Sequence, residues 1–300
     1  MPNSFPLPRT WTREELLVQR TQAEHVFIEQ RREEGPRAYA DVFAELEPIV
    51  SGTLELTRDL RDVTGAKLVA YDVLLQTLRY CCAPPISEED LWTMVGRKFR
   101  HVPPDVADAT ASAMQPLYDP VRFPWLVTSR EPTSGERASA ILATTAMLAS
   151  VVTATRRRGD VSIRQEAAVG EALRAAGFNF DPNRTPLAVL DALERGSFSR
   201  ERKVAGAKCD VPVRLHDGRL LAIECKVSNG PKNSWKRLNR EAGGKAERWR
   251  AAFGTQIVTA AVLAGVFDVS CLVAGQRDNG VAIFWEHELG PLAEFVADAV

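Results

Sequence analysis

Two acid-x-Lys triplets occur in this chain, Glu201-Arg202-Lys203 and Glu224-Cys225-Lys226. With 39 acidic residues and 8 lysines among 300 positions, chance alone supplies roughly one such triplet. Only the surroundings can give it meaning. The first triplet lies in a polar, Arg-rich stretch with nothing to shape a pocket. The second sits inside Leu220-Leu221-Ala222-Ile223-Glu224-Cys225-Lys226-Val227, which reads as a strand. Period-2 alternation places Leu221, Ile223, Cys225 and Val227 on one face and Ala222, Glu224 and Lys226 on the other. In the preceding strand-like run, Lys208–Leu215, Cys209, Val211 and Val213 share a face and Asp210 takes the opposite one.

Register decides whether these groups meet. A two-residue Asp217-Gly218 loop pairs Asp210 with Cys225 and turns a carboxylate toward the core. A three-residue His216-Asp217-Gly218 loop, with Gly218 left-handed in a bulge, pairs Asp210 with Glu224 and Cys209 with Cys225. Patterning selects the three-residue loop, because a one-residue slip reverses every side chain. Two facing carboxylates repel and are harder to ionise, a cost that a divalent cation removes. Hard oxygen donors without His or Cys on that face suit Mg²⁺. Such an ion polarises a phosphate and activates a water, with Lys226 placed to orient or deprotonate that water, or to neutralise charge developing on the phosphate. The same spacing also fits a plain ion-pair face on an edge hairpin.

Two neighbouring elements bear on the site. In the amphipathic helix expected over 162–176, Ile163, Val169, Leu173 and Ala176 mark the buried stripe; Glu166 falls within it and Glu171 outside. A buried carboxylate needs a partner, and a metal is one; water at the edge of the stripe is another. A basic helix is expected over about 233–253, ended by Gly254, with Trp235, Leu238, Ala242, Ala246, Trp249 and Phe253 packed on the sheet. Lys232, Lys236 and Arg240 form a stripe away from it, with Arg237, Lys245 and Arg248 nearby, and phosphate contact is its natural role. Gly243–Gly244 in mid-helix costs about 1 kcal/mol each relative to Ala, which close approach of another backbone or a kink explains. Residues 200–254 hold fourteen Lys/Arg against six Asp/Glu in a chain of net charge −1. That asymmetry fits a nucleic-acid face, and equally a solvated helix with partners elsewhere on the surface.

The elements around the site follow from local signals. Residues 1–133 read as a helical N-terminal region. Thr12-x-x-Glu15 opens a helix through about Glu33, Gly35–Pro36 separates it from the next, and Ser87-x-x-Asp90 restarts the chain after Pro84–Pro85. Further helical patterns lie near 37–62 and 67–82. From Ala138 to Thr155 eighteen residues carry no charge, but only six are large and apolar. That is too short and polar for a membrane span, and predicts a core helix capped by Ser134 and ended at Arg156-Arg157-Arg158-Gly159. Gly177 closes the 162–176 helix. Apolar strands are expected at 256–263, 268–274 and 281–285, the last two joined by an Asp278-Asn279-Gly280 hairpin turn. Residues 134–300 thus form an α/β core with a mixed sheet flanked by helices. Five cysteines without a CxxC pair argue against a disulfide framework and a structural zinc site, the four histidines match no metal spacing, and a cytoplasmic protein is expected.

Asp210, thirteen intervening residues, then Glu224-x-Lys226, with a helical Glu166 upstream, resembles the PD-(D/E)xK nuclease superfamily; Cys209 stands where that motif has proline. Within it, the chain resembles the XamI-like type II restriction endonucleases. The resemblance rests on Pro84-Pro85-Ile86-Ser87-Glu88-Glu89-Asp90-Leu91, on Cys209-Asp210 and Ile223 through Asn229, and on Asn233-Ser234-Trp235-Lys236-Arg237-Leu238-Asn239 with Lys245, Trp249 and Phe253-Gly254. It implies a restriction-endonuclease-like core and Mg²⁺-dependent cleavage of double-stranded DNA at a short palindrome by a homodimer. The N-terminal region would supply dimer contacts and part of a DNA clamp. It also implies Asp210, Glu224 and Glu166 as metal ligands, Lys226 at the water, and Lys232, Asn233, Ser234, Lys236, Arg237, Arg240 and Lys245 on DNA. A repair or junction-resolving nuclease with the same site, or a DNA-binding protein without catalysis, are the alternative readings.

Overall fold

A computed structural model describes residues 5–300. The chain forms two compact units, residues 34–156 and the remainder, which joins residues up to 33 with 157–300. The divide falls inside two long helices, not at 133/134, because neither helix stops where its breakers stand. Helix α1 (Arg13–Leu56) starts at the expected capping box, with the Thr12 N–H on Glu15 Oε2 at 2.8 Å and the Glu15 N–H on Thr12 Oγ1 at 3.2 Å. It then runs through Pro36 and Pro48. An internal proline costs about 3 kcal/mol in a helix. Here the buried stripe Val42, Leu46 and Val50 packs against Leu148 and Ala149 and holds the helix past its breakers.

The helical unit continues with α2 (Gly65–Ala70), α3 (Val73–Cys81), α4 (Glu88–Val95), α5 (Ala107–Met114) and α6 (Pro124–Thr128). Ser87 and Asp90 close the expected capping box of α4. These helices bury one apolar cluster, which includes Leu74, Leu78, Leu91, Met114, Phe123 and Trp125. Helix α7 (Ser134–Ala175) is capped by Thr133, not Ser134: Thr133 Oγ1 accepts the Glu136 N–H at 3.2 Å. It passes straight through the arginine run and ends at Gly177 (φ +89°), where the Phe178 N–H reaches Leu173 O at 3.0 Å. By length and composition α7 is the one helix among the described residues able to cross a membrane. Its Leu148 and Ala149 are nevertheless core residues of the helical unit.

The second unit is built on a sheet that, among the described residues, has the order β1 (Asn179–Phe180), β2 (Ser197–Phe198), β5 (Val211–Arg214), β6 (Leu220–Asn229), β7 (Ile257–Val266), β8 (Ala282–Trp285). Strands β3 (Arg202–Val204) and β4 (Ala207–Cys209) make a separate hairpin. Pairing is antiparallel between β5 and β6 and parallel from β6 to β8, so the sheet is mixed. Both faces are covered. The end of α7 (Val169, Leu173) and helix α11 (Gly290–Asp298) pack on Leu221, Ile223 and Cys225. The other face meets the start of α1 (Leu16, Ala23), the Pro231–Phe253 helix through Leu238, Ala242 and Ala246, and helix α10 (Val269–Arg277). The segment 268–274 is therefore helix, not strand. Asp268 caps α10 by accepting the Ser270 and Cys271 N–H groups, and Asp278-Asn279-Gly280 ends that helix instead of turning a hairpin. Two parallel strands cannot be joined by a tight turn, and α10 is their crossover.

The basic helix comprises α8 (Pro231–Trp235), a π-helical stretch (Lys236–Ala242) and α9 (Gly243–Phe253). Each residue advances by a smaller angle in the wider π turn. Trp235 therefore falls off the buried stripe and is 46% exposed. Gly243 and Gly244 have different reasons to exist. A Cβ on Gly243 would lie 2.8 Å from Asn279, whose side-chain amide donates to Asn239 Oδ1 at 2.7 Å; a Cβ on Gly244 meets nothing within 4 Å. Gly243→Ala should therefore lower the denaturation midpoint, while Gly244→Ala should raise stability by about 0.5–1 kcal/mol through helix propensity. Urea titrations of the two variants check this.

Candidate active site

The β5–β6 hairpin has the expected register: Val211 pairs with Ile223, Pro212 with Ala222, Val213 with Leu221 and Arg214 with Leu220. The Leu215 N–H closes the three-residue loop on Arg219 O at 2.9 Å, and Gly218 is left-handed at φ +92°. Continued by one step, the ladder brings Asp210 opposite Glu224. The chain bends there, between β4 and β5. Asp210 Oδ2 takes the Cys225 N–H at 2.8 Å, so a side chain replaces the next backbone bond of the ladder and fixes the carboxylate to the neighbouring strand. The bend also turns β4 over. Cys209 packs with Ala222 and Trp249, whereas Cys225 packs with Val211 and Ile223 on the other side of the sheet. The two cysteines are buried free thiols, but they do not share the expected core face.

Lys226 joins the carboxylates. Its Nζ lies 2.9 Å from Asp210 Oδ2, 2.8 Å from Glu224 Oε2 and 3.2 Å from Cys225 O. Glu224 and Lys226 are buried in the centre of the sheet, which excludes a solvated ion-pair face on an edge strand. Burial alone would lower the lysine pKa; the charges of Glu224 and Asp210 outweigh it and raise the value. Burial pushes the Glu224 carboxyl up against the opposing pull of Lys226. A second ammonium, Lys245 on α9, bonds Glu224 Oε2 at 2.6 Å. The other oxygen of this carboxylate, Oε1, is buried without any hydrogen-bond partner.

Glu166 is half-buried on α7, where the Ser162 hydroxyl donates to it at 3.3 Å. Its pKa is raised by burial and then by the charge of Asp210, so it stands within electrostatic reach of the pair. Among the described residues, no three His, Cys, Asp or Glu side chains form a ready-made cation cluster. The donors still fit a hard divalent cation. Carboxylates supply oxygens alone, both contacts of Asp210 fall on Oδ2, and an orphaned buried oxygen such as Glu224 Oε1 needs a partner.

Lys232, Asn233, Lys236, Arg237 and Arg240 are exposed along the basic helix. Ser234 is buried; its hydroxyl donates to Pro231 O at 2.6 Å and accepts the Asp268 N–H at 3.3 Å, so it faces the interior. Sequence reasoning grouped Lys245 with the outward stripe and missed its bond to Glu224. The available signal was its position beside the buried stripe, three residues after Ala242 and four before Trp249.

A lysine held between two carboxylates takes the place of a cation. Lys226→Met leaves the buried Glu224 and the half-buried Asp210 to repel each other, and removing one partner of a buried ion pair typically costs about 3–5 kcal/mol. The variant should melt well below wild type in EDTA and recover part of the loss on addition of Mg²⁺. Thermal denaturation in both buffers measures the two effects.

A family model described as XamI restriction endonuclease matches residues 58–285, more than half of the chain. The Type II restriction enzyme XamI of Xanthomonas campestris pv. amaranthicola is 40% identical over 191 residues, which cover 60% of this chain and 68% of that protein. No solved structure matches. The family match spans Glu166, Asp210, Glu224, Lys226 and Lys245, and the chain belongs to the XamI restriction endonuclease family.

Proposed function

We propose that this restriction endonuclease hydrolyses phosphodiester bonds of double-stranded DNA at a site formed by Asp210, Glu224 and Lys226, in a Mg²⁺-dependent reaction at a short palindromic sequence. The observation that carries the reading is the buried Lys226 ammonium bridging two carboxylates while Glu224 Oε1 lacks a partner. Asp210 and Glu224 would hold the ion, with Glu166 supporting it from α7. When bound, Mg²⁺ would supply Lewis-acid polarisation of the scissile phosphate and a more acidic water. The protein contributes the rest. The Cys225 N–H holds Asp210 in place, and the sheet with its covering helices keeps bulk water from Glu224. Lys226 keeps its proton while it touches both carboxylates, so its role there is to orient the attacking water and stabilise negative charge on the phosphate.

The exposed cations Lys232, Lys236, Arg237 and Arg240, with Asn233 among them, lie on a helix whose C-terminal half carries Lys245 into the site. This continuity supports a phosphate-tracking role that delivers the backbone to Glu224. A homodimer is the assembly that reads a palindrome with two equivalent sites. The helical unit is its proposed source of dimer contacts and part of the clamp. The uncharged stretch of α7 supports that assignment, with Leu142 and Val151 exposed.

Asp210→Asn and Glu224→Gln should abolish plasmid cleavage in Mg²⁺ while leaving DNA binding in Ca²⁺ largely intact, since lost ligands disable chemistry before phosphate contact. Discrete fragments from wild type and near-wild-type cutting by either variant would together refute the site while leaving the enzyme class standing. Lys236→Ala and Arg240→Ala should weaken binding to every sequence alike. Each should lower the slope of log affinity against log salt by about one unit. Anisotropy titrations across a salt series read both, and loss confined to one sequence would make these residues base readers.

A further inference from the structure

Lys245 belongs to two features at once. It bonds the buried Glu224 at 2.6 Å, and it lines an open groove of about 530 Å³ together with Lys208, Arg240 and Arg248, with Glu241 the one acid on that wall. The groove is roomy enough for a backbone phosphate, and beside Gly244 no side chain narrows it. The two lysines on Glu224 Oε2 are not equivalent. Lys226 is also tied to Asp210, and its side chain is 9% exposed; Lys245 has Glu224 as its only acidic partner among the described residues and is 25% exposed. One of the two ammonium groups can therefore leave toward solvent while the other stays.

A cation that approaches Glu224 meets both ammonium groups in a poorly screened interior, where like charges a few ångströms apart repel strongly. A phosphate in the groove offers Lys245 a charge-assisted bond of the same kind as the one it makes to Glu224. We propose that Lys245 is a positioning residue that couples the two events: without DNA its ammonium is held by Glu224, and a backbone phosphate in the groove draws it away, leaving the carboxylate to the cation. The proposal rests on reading Asp210, Glu224 and Lys226 as the cation site. Linkage makes the effect reciprocal, so the phosphate raises cation affinity by the factor by which the cation raises DNA affinity.

The test counts bound Mn²⁺ by electron paramagnetic resonance on the full-length protein, alone and with a saturating phosphorothioate duplex carrying the sequence read from the cleavage ends. A Glu224→Gln sample supplies the background. In wild type the duplex should tighten Mn²⁺ binding by about tenfold, within the usual range of such couplings. In Lys245→Met the affinity without DNA should rise and the ratio should fall to about one, whereas Lys245→Arg, which keeps the charge, should retain most of the ratio. Lys245→Gln replaces the methionine variant if melting curves show that the latter does not fold. A tenfold ratio surviving in Lys245→Met, or lost as fully in Lys245→Arg, overturns the coupling. Wild-type Mn²⁺ binding that Glu224→Gln does not reduce overturns the cation site itself, and the proposal with it.

Discussion

Burial of a carboxylate and an ammonium in the middle of a sheet, with a second carboxylate at the bend beside them, is the constraint around which the second unit is organised. Lys226 and Glu224 sit where a strand would ordinarily present apolar side chains and have almost no solvent, and Asp210 lies half-buried beside them at the bend between β4 and β5. Unpaired, each would be penalised by several kcal/mol for leaving water. Together they form an alternating arrangement of carboxylate, ammonium, carboxylate, with Lys245 as a second ammonium on the same Glu224 oxygen that Lys226 holds. The arrangement requires two strands in one register, a bend that frees Asp210 from the ladder, and a helix that brings Lys245 over the sheet. Those are the distinctive local features of this unit.

Such a cluster costs stability, and the proposed reading gives that cost a purpose. Apolar residues of similar size would hold the sheet at least as firmly. What the charges provide is a set of oxygens already positioned, one of them unpartnered, and a lysine already oriented. Preorganisation of this kind is where an electrostatic site gains most, because nothing has to reorganise when charge develops on a phosphate. On the same proposed reading, the basic helix serves this end from outside. Its π stretch rotates the helix between Trp235, which faces solvent, and Leu238, which is buried, and its α9 turn places Lys245 at the junction of groove and site.

The meeting of Asp210, Glu224 and Lys226 was legible from alternation and loop geometry. Asp210, Glu224 and Lys226 meet because period-2 patterning over Leu220–Val227 and a three-residue turn at Gly218 leave a single register that keeps Leu221, Ile223 and Val213 inside. The capping boxes at Thr12 and Ser87 and the left-handed stop at Gly177 were equally readable, since caps depend on residues within one turn. The family resemblance rested on the same local words, and the match over 58–285 agrees with it.

What local pattern could not decide was decided by packing across the chain. Pro36 and Pro48 in α1 and Gly159 in α7 are poor helix residues by local rule, yet both helices pass through them, and Val42, Leu46, Val50, Leu148 and Ala149 bury each other from positions far apart in sequence. Residues 268–274 are apolar enough for a strand or a buried helix, and only the parallel pairing of β7 with β8 makes them a crossover helix. The separation of Cys209 from Cys225 follows from a single bend at Asp210, and the bond from Lys245 to Glu224 from the packing of the Pro231–Phe253 helix on the sheet. By itself the sequence determined which side chains of β6 alternate, where the turn at Gly218 closes and where the caps at Thr12 and Ser87 and the stop at Gly177 fall. Tertiary structure decided which breakers the helices pass and which charges touch, because those outcomes depend on burial shared between segments that no local window contains.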